Sequence, residues 1–212
     1  MFFDKNFRGF IPELPSIEIA IDIPRESIPD NGITFIMCHP NPMEGGTMDN
    51  KVVTTVIKSM NKLGLVSVRF NFRPDGQEAL DYLKAVIHWV KKYRPGPIWL
   101  GGFSFGSYVA YACANDSGFN IAQLLTIAPA VNRWDYMALP APKMPWVCVI
   151  GDQDEVVPCA DVFNFIQQVP CSVNLIKFYQ TGHFFHQKLV LLDNALKNYY
   201  APIVGADPCV CP

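Results

Sequence analysis

Short apolar runs alternate with amphipathic segments along most of this chain, and the alternation constrains the fold more than any single motif does. The run at 33–38 is apolar apart from Thr34, which is typical of a buried parallel strand. Between it and the next apolar run, at 66–72, apolar side chains recur at helical spacing over 49–63. Strands joined by helices need crossover connections. The sequence therefore predicts an α/β fold, a three-layer α/β/α sandwich around a mostly parallel central sheet.

The same alternation continues to the end of the chain. It predicts strands at 97–102, 123–128, 146–150 and 173–178, and helices at 77–93, 105–115, 159–168 and 187–200. The segment from Ser16 to Ile23 alternates apolar and polar residues, which predicts a half-buried strand near a sheet edge. We expect residues 1–212 to form a single domain, with an N-terminal arm at 1–15 and a C-terminal tail at 201–212.

The stretch 101–107 lies between a predicted strand and a helix of small residues. It contains Gly102-x-Ser104-x-Gly106, the nucleophile-elbow pattern, in which a serine turns sharply out of a strand into a helix. A side chain two residues from the serine would clash with the strand or the helix, so glycine is favoured there. The turn exposes the Ser104 hydroxyl at a helix N-terminus, where developing negative charge is stabilised. The alternative is that Ser104 merely caps the helix, whereas Ser107 lies inside the helix and is expected to be structural.

A serine hydroxyl is a weak nucleophile at neutral pH, so it needs a base, and a carboxylate must orient that base. In open parallel sheets the site lies at the carboxyl ends of the strands, where the polar loops of this chain are found. Asp154 is the preferred acid because it lies four residues beyond Ile150, far enough to reach a histidine loop. Glu155 lies beside it, Asp152 is expected to organise the turn, and Asp135 is the outside alternative.

Two histidines follow the last predicted strand. His183 is the preferred base because it comes directly after that strand and Gly182 precedes it. His186 is expected to start the final helix and to point away, although a place in the pocket wall remains open to it. His88, on the helix at 77–93, is expected to be a surface or packed side chain.

An oxyanion formed on the substrate needs two backbone N–H donors. One is expected from Phe105, which follows the serine, and the other from the loop after the strand at 33–38. Pro40 and Pro42 have no N–H, so Asn41 is the expected donor in that loop. The pocket candidates are histidine or aromatic side chains near the strand ends: His39, Phe103, Phe184 and His186. His39 is better explained as a residue that stabilises its loop than as a second base.

Composition excludes several classes of function. The net charge is −2 and no basic run is present, so nothing indicates nucleic-acid binding. No uncharged apolar stretch reaches the roughly 18 residues that span a bilayer, and the first residues do not resemble a secretory signal. The seven cysteines form no Cys-x-x-Cys pair and no zinc-spaced cluster, which predicts reduced thiols and a cytoplasmic protein. Cys209 and Cys211 are interpreted as incidental thiols of a frayed terminus, with a redox or metal-binding tail as the alternative.

Several motifs together resemble those of the α/β-hydrolase superfamily, and in particular a small bacterial subgroup of predicted hydrolases without a lid. They occur in consistent order over about residues 33–200: HPNP followed by GGTMDNKVV, RFNFR, GFSFG, GDQDEVVP and GHFFH. The resemblance implies an α/β-hydrolase fold with little or no lid, and it places Ser104, Asp154 and His183 at the triad positions. The chain departs from the subgroup after Arg73, where relatives usually carry a longer Gly/Ser-rich loop that borders the pocket.

The predicted chemistry is acyl transfer in two steps. His183 takes the proton from Ser104, which attacks a carbonyl, the amides of Phe105 and Asn41 hold the oxyanion, and water then releases the acid. The expected substrate is a small or medium carboxylic ester or thioester, with no metal or organic cofactor required. A small peptidase or amidase, and a non-catalytic binding protein with the same fold, are the alternatives. A homodimer is compatible with the sequence.

Overall fold

The computed structural model describes residues 2–73, 75–76 and 78–205. In these residues the strands are β1 Phe7–Ile11, β2 Leu14–Asp22, β3 Thr34–Cys38, β4 Val66–Phe70, β5 Ile98–Phe103, β6 Ile121–Ile127, β7 Trp146–Gly151 and β8 Val173–Phe178. The α-helices are α1 Lys51–Lys62, α2 Ala79–Tyr93, α3 Phe105–Ala114, α4 Cys159–Gln168 and α5 Leu189–Val204, and a short 3₁₀ helix covers Pro42–Glu44. The prediction for Cys209 and Cys211 lies outside the described residues.

The strands form one sheet in the order β1-β2-β4-β3-β5-β6-β7-β8. β3 to β8 are parallel to one another, whereas β2 pairs antiparallel with both β1 and β4. The predicted mostly parallel sheet is therefore confirmed. Because all the parallel strands end at the same edge, the loops that follow them meet there.

Helices cover both faces of the sheet, and alternate side chains of each strand supply the two cores. In β3, Ile36 packs with α2 and α3 on one face, while Phe35 and Met37 pack with α1 and α5 on the other. Both cores consist of apolar side chains that are almost entirely removed from water. This arrangement confirms the predicted three-layer sandwich.

The N-terminal segment is more ordered than an extended arm. β1 pairs antiparallel with β2 and occupies the sheet edge near which β2 was expected. Phe2 and Phe3 pack their rings on Trp89 of α2, with centroid distances of 5.2 and 5.4 Å. The early phenylalanines therefore anchor the edge strand on the helical layer.

The last helix runs beyond its predicted end at residue 200. α5 continues through Pro202 to Val204, and Gly205 closes it in the left-handed conformation at φ 68°. Tyr200 and Ala201 are buried in the core on that face, which favours extension of the helix past them. No helix within residues 2–73, 75–76 and 78–205 combines the length and apolar character needed to cross a membrane.

Candidate active site

Ser104 occupies a strained turn between β5 and α3, with φ 54° and ψ −116°. A Cβ added at Gly102 would lie 2.1 Å from the carbonyl oxygen of Gly106, and one added at Gly106 would lie 2.4 Å from that of Cys38. Glycine is therefore required at both positions. The Ser104 N–H donates to the Ile127 carbonyl of β6 at 2.9 Å, which fixes the turn against the neighbouring strand.

Ser107 has the structural role expected of it. Its fully buried hydroxyl donates to the Gly102 carbonyl at 2.7 Å and accepts from the Ile127 N–H at 3.1 Å. These bonds tie the first turn of α3 to the ends of β5 and β6. The Ser107 hydroxyl is therefore engaged by the backbone and does not compete with Ser104 as a nucleophile.

The structure brings Ser104, His183 and Asp154 into one hydrogen-bonded chain. His183 Nε2 lies 3.0 Å from Ser104 Oγ, and His183 Nδ1 lies 2.8 Å from Asp154 Oδ2. All three residues are buried, with 8%, 2% and 9% of their surface exposed for the serine, histidine and aspartate. Since an ionised carboxylate only accepts, Nδ1 carries the proton and Nε2 faces the Ser104 hydroxyl as an acceptor.

Asp154 is held in place by the backbone that follows it. Its Oδ1 accepts from the N–H groups of Val156 and Val157 at 2.9 and 2.7 Å. One carboxylate oxygen is thus fixed by two amides, which directs the other oxygen at His183. The orientation of the imidazole therefore follows from a local turn in the loop after β7.

The other candidate acids make different contacts. Asp152 accepts from the Thr181 N–H at 3.4 Å, so it links its loop to the His183 loop rather than closing its own turn. Asp135 accepts from the Ala138 N–H at 3.1 Å in the loop after β6. Among the described residues, no hydrogen bond joins either carboxylate to His183.

Glu155 has a positioning contact that the sequence did not reveal. Its Oε2 accepts from the backbone N–H of His183 at 3.2 Å. A Cβ on Gly182 would lie 2.6 Å from the same oxygen, so glycine makes room for this bond. The adjacency of Glu155 to Asp154 was a usable signal, because both residues follow the same strand towards the histidine loop.

The two expected oxyanion donors lie at helix starts. Asn41 precedes the 3₁₀ helix, and its side-chain Oδ1 accepts from the Met43 N–H at 3.1 Å. Phe105 is the first residue of α3, where a helix has no internal acceptor for the N–H. Among the loop, turn and cap hydrogen bonds of the described residues, none uses the N–H of Asn41 or Phe105.

The loop between Asn41 and α1 is supported from behind by β4 and the residue after it. The Met48 N–H donates to Asn71 Oδ1 at 2.9 Å, and Arg69 Nη1 donates to the Met48 carbonyl at 3.2 Å. Arg69 also pairs with Asp49, and a hydrogen bond from Arg8 holds the pKa of the Asp49 carboxyl below its usual value. This network gives the RFNFR motif a structural role.

His39 does not belong to the pocket wall, which corrects its place among the pocket candidates. It is 1% exposed, its Nε2 accepts from the Phe72 N–H at 2.9 Å, and its Nδ1 lies 2.6 Å from the Pro40 carbonyl. Burial lowers the pKa of His39 to about 4, consistent with a neutral ring whose Nδ1–H donates to Pro40. The ring stabilises the loop, as the sequence also suggested.

Two other pocket candidates also need correction, whereas Phe184 does line the pocket. Phe103 is fully buried in the core beneath the site, where its ring lies tilted by 34° against that of His183, with 5.1 Å between the centroids. His186 is exposed outside the lining, with its ring 5.9 Å from that of Phe184. Strand alternation turns Phe103 inward, and the turn at 182–185 carries His186 away from Ser104.

A pocket of about 320 Å³ opens over Ser104. Its walls come from the loops after β3, β5, β6, β7 and β8, and the lining residues are Pro40, Asn41, Glu44, Gly45, Gly46, Asn50, Ser104, Arg133, Val156, His183 and Phe184. Arg133 and Glu44 form an ion pair at 2.5 Å that sequence reasoning missed. Residues 2–73, 75–76 and 78–205 contain no group of three His, Cys, Asp or Glu side chains arranged to hold a metal ion.

Comparison with known proteins gives close structural relatives. No family model matches the chain. A serine hydrolase without a lid from Xanthomonas campestris is 34% identical, with 98% of this chain and 99% of that chain covered and a TM-score of 0.87. An α/β serine hydrolase homologue from Coxiella burnetii is 38% identical over 92% of this chain and 97% of that chain, with a TM-score of 0.83. An uncharacterized protein of Rickettsia prowazekii is 28% identical in a match that covers 82% of this chain and 80% of that protein.

Proposed function

Because this chain belongs to the α/β serine hydrolases that lack a lid, we propose that it hydrolyses small or medium carboxylic esters or thioesters through an acyl-enzyme on Ser104. The observation that carries the proposal is the hydrogen-bonded chain from Ser104 Oγ through His183 to Asp154. A buried serine whose hydroxyl faces an imidazole acceptor, itself oriented by a carboxylate, is the arrangement that nucleophilic acyl transfer requires.

Acylation begins when Ser104 Oγ attacks the substrate carbonyl carbon and its proton passes to His183 Nε2. The carbonyl oxygen becomes an oxyanion, which the N–H groups of Asn41 and Phe105 hold by hydrogen bonds. The imidazolium is stabilised by Asp154, which stays ionised. Collapse of the intermediate breaks the bond to the leaving group, and His183 returns the proton to the departing alcohol or thiol.

Deacylation repeats these steps with water. His183 removes a proton from the water as its oxygen attacks the acyl carbon, the same two amides hold the second oxyanion, and Ser104 leaves with the proton from His183. The products are a carboxylic acid and the free enzyme. Each group returns to its starting protonation state, so the cycle balances.

The size of the pocket supports a modest substrate. A volume of about 320 Å³ lies at the lower end of the range of small-molecule sites, roughly 300–1,000 Å³. Phe184 supplies an apolar wall and is 40% exposed. An ester or thioester also suits the site because its leaving group needs only the proton that His183 carries.

Two measurements on purified protein test the proposal. The wild type should be labelled by a fluorophosphonate probe and should hydrolyse p-nitrophenyl butyrate, whereas Ser104→Ala and His183→Ala should do neither. His186→Ala is the matched control, since it removes an exposed histidine from the same loop and should keep both properties. Folded wild type that is not labelled, or Ser104→Ala that is labelled equally, would overturn the proposal and favour a binding role.

A further inference from the structure

One ion pair in the pocket wall has no part in the proposed acyl transfer. Glu44 ends the 3₁₀ helix that follows Asn41, and Arg133 lies in the turn after β6. Arg133 Nη1 lies 2.5 Å from Glu44 Oε1, and both residues share the lining with Ser104. Among the lining residues that the structure describes, Arg133 is the one that carries a fixed positive charge.

The backbone around Arg133 is anchored rather than loose. The Arg133 N–H donates to the Ala130 carbonyl at 3.1 Å, which closes a turn directly after β6. The neighbouring Asn132 side chain donates to the Val156 carbonyl at 3.0 Å, and Val156 also lines the pocket. The guanidinium is therefore presented from a segment tied to the loop that carries Asp154.

The ion pair leaves Arg133 able to bind a second anion. The side chains of Arg133 and Glu44 are 41% and 55% exposed, and half-exposed ion pairs contribute little free energy. In the described part of the chain, Glu44 is the one hydrogen-bond partner of the Arg133 guanidinium, and it engages Nη1 alone. A guanidinium has five N–H donors in a planar fork that matches a carboxylate, so a bidentate ligand can displace a single contact.

We propose that this pocket selects esters or thioesters that carry an ionised carboxylate in addition to the bond that is cleaved, and that Arg133 binds this carboxylate in competition with Glu44. The inference rests on the proposed hydrolase function and assigns its substrate class. Glu44 then has two effects: it holds the guanidinium in the pocket wall when no substrate is bound, and it weakens binding of the substrate anion. Removal of the two partners must therefore change the preference for anionic substrates in opposite directions.

The test compares an anionic and a neutral ester of equal chain length. On the acyl side these are p-nitrophenyl hydrogen adipate and p-nitrophenyl hexanoate, and on the alcohol side m-carboxyphenyl butyrate and phenyl butyrate. The measured quantity is the ratio of kcat/KM for the anionic ester to that for the neutral one, after subtraction of spontaneous hydrolysis. The pair whose ratio responds to the variants shows which side of the scissile bond faces Arg133.

Arg133→Gln should lower this ratio about tenfold, since a charge-assisted hydrogen bond to the substrate is lost. Glu44→Gln should raise the ratio severalfold, because the competing carboxylate is gone while the arginine remains. Arg25→Gln is the matched control: it removes an exposed arginine from the loop before β3, at the opposite edge of the sheet, and should leave the ratio unchanged. Added salt should lower the wild-type ratio.

A purely structural ion pair gives a different result. Arg133→Gln and Glu44→Gln would then affect anionic and neutral esters in the same proportion, and unchanged ratios for both ester pairs would overturn the proposal. If Arg133→Gln does not fold, Glu44→Gln still tests the proposal: a higher ratio of anionic to neutral kcat/KM supports it, and an unchanged or lower ratio overturns it. Failure of the proposed function is distinguishable, because wild type would then neither turn over the neutral esters nor react with a fluorophosphonate.

Discussion

Replacement of Asp154 by asparagine tests whether the tautomer of His183 is set as the structure indicates. The Asp154 carboxylate accepts two backbone N–H groups through Oδ1 and faces His183 Nδ1 with Oδ2 at 2.8 Å. Asparagine has nearly the same shape, but only its oxygen can accept. The two amides of Val156 and Val157 bind that oxygen, so the NH₂ group faces His183.

An NH₂ group opposite Nδ1 favours the imidazole tautomer that carries its proton on Nε2. His183 can then no longer accept the proton of Ser104, although the side chains keep their positions. In a serine protease triad the equivalent change lowers kcat by about 10⁴-fold, and we expect a loss of the same order here. The two hydrogen bonds from the backbone N–H groups to the side-chain oxygen are kept, so the free energy of unfolding should fall by only about 1 kcal/mol.

The assay is steady-state hydrolysis of p-nitrophenyl butyrate, with circular dichroism to show that the variant is folded. Asp152→Asn is the matched control, because the Asp152 carboxylate accepts one long hydrogen bond of 3.4 Å from the Thr181 N–H, whereas the His183 ring is bonded to Asp154 and Ser104. It should keep kcat within about threefold of wild type. A folded Asp154→Asn variant that retains a tenth of the activity, or an equal loss in Asp152→Asn, would refute this reasoning.

Three further predictions concern the elbow, the buried histidine and the base loop. Gly106→Ala should lower the free energy of unfolding by about 3 kcal/mol in urea titrations, because the added Cβ would clash with the Cys38 carbonyl. Gly45→Ala is the control: φ is 79° there but no atom lies near the added Cβ, so the free energy of unfolding should fall by about 1 kcal/mol. Equal losses in the two variants would count against the elbow geometry. The pKa of His39 is about 4 in the folded protein and 6.5 in the unfolded chain, so the unfolded chain binds the proton first as the pH falls. The free energy of unfolding should therefore be highest above pH 6.5 and should decrease by up to about 3 kcal/mol as the pH falls towards 4. Urea titrations at several pH values should show this loss in wild type and not in His39→Gln; the same loss in both would assign it to other groups. Glu155→Gln should lower kcat for p-nitrophenyl butyrate by about tenfold with little change in KM, since the bond to the His183 N–H weakens; an unchanged kcat would remove the positioning role.

The sequence predicted the site best where a candidate catalytic residue follows a predicted parallel strand. Ser104, Asp154 and His183 each follow a predicted parallel strand directly, and parallel strands must end at one edge of the sheet. The register of β5 with β6, of β6 with β7 and of β7 with β8 then brings together three loops that are far apart in the chain. The backbone positions of these residues were therefore predictable, and the structure supplies the hydrogen bonds between their side chains.

The errors arise where a side chain is placed by one specific partner. His39 was a pocket candidate because it opens a polar loop, but the Phe72 N–H, beyond the end of β4, holds its ring in the interior. Phe103 could have been excluded by alternation, since Trp99 and Phe103 occupy odd positions of β5 and pack on the same face of the sheet. Residues 7–11 form a strand because they pair with β2, and their half-exposed pattern does not indicate that pairing.

The Glu44–Arg133 pair could not be predicted by any periodic rule. The two residues are 89 positions apart, and each lies in an irregular loop whose path is set by turns and by contacts with other loops. Loops of this kind commonly carry specificity, because the strands beneath them fix their ends while leaving their side chains free to vary. The strand order therefore predicts the positions of the proposed catalytic residues better than it predicts the proposed substrate-selecting pair.

The most direct test of the central proposal is to trap the covalent intermediate. Rapid acid quench during turnover of p-nitrophenyl butyrate, followed by mass spectrometry of peptides, should find a butyryl group on the peptide that contains Ser104. The group should appear with a burst of p-nitrophenol and should be absent from Ser104→Ala. Steady turnover by the wild type with the butyryl group on another residue, or with no acylated peptide at any quench time, would contradict the proposal that Ser104 is the nucleophile.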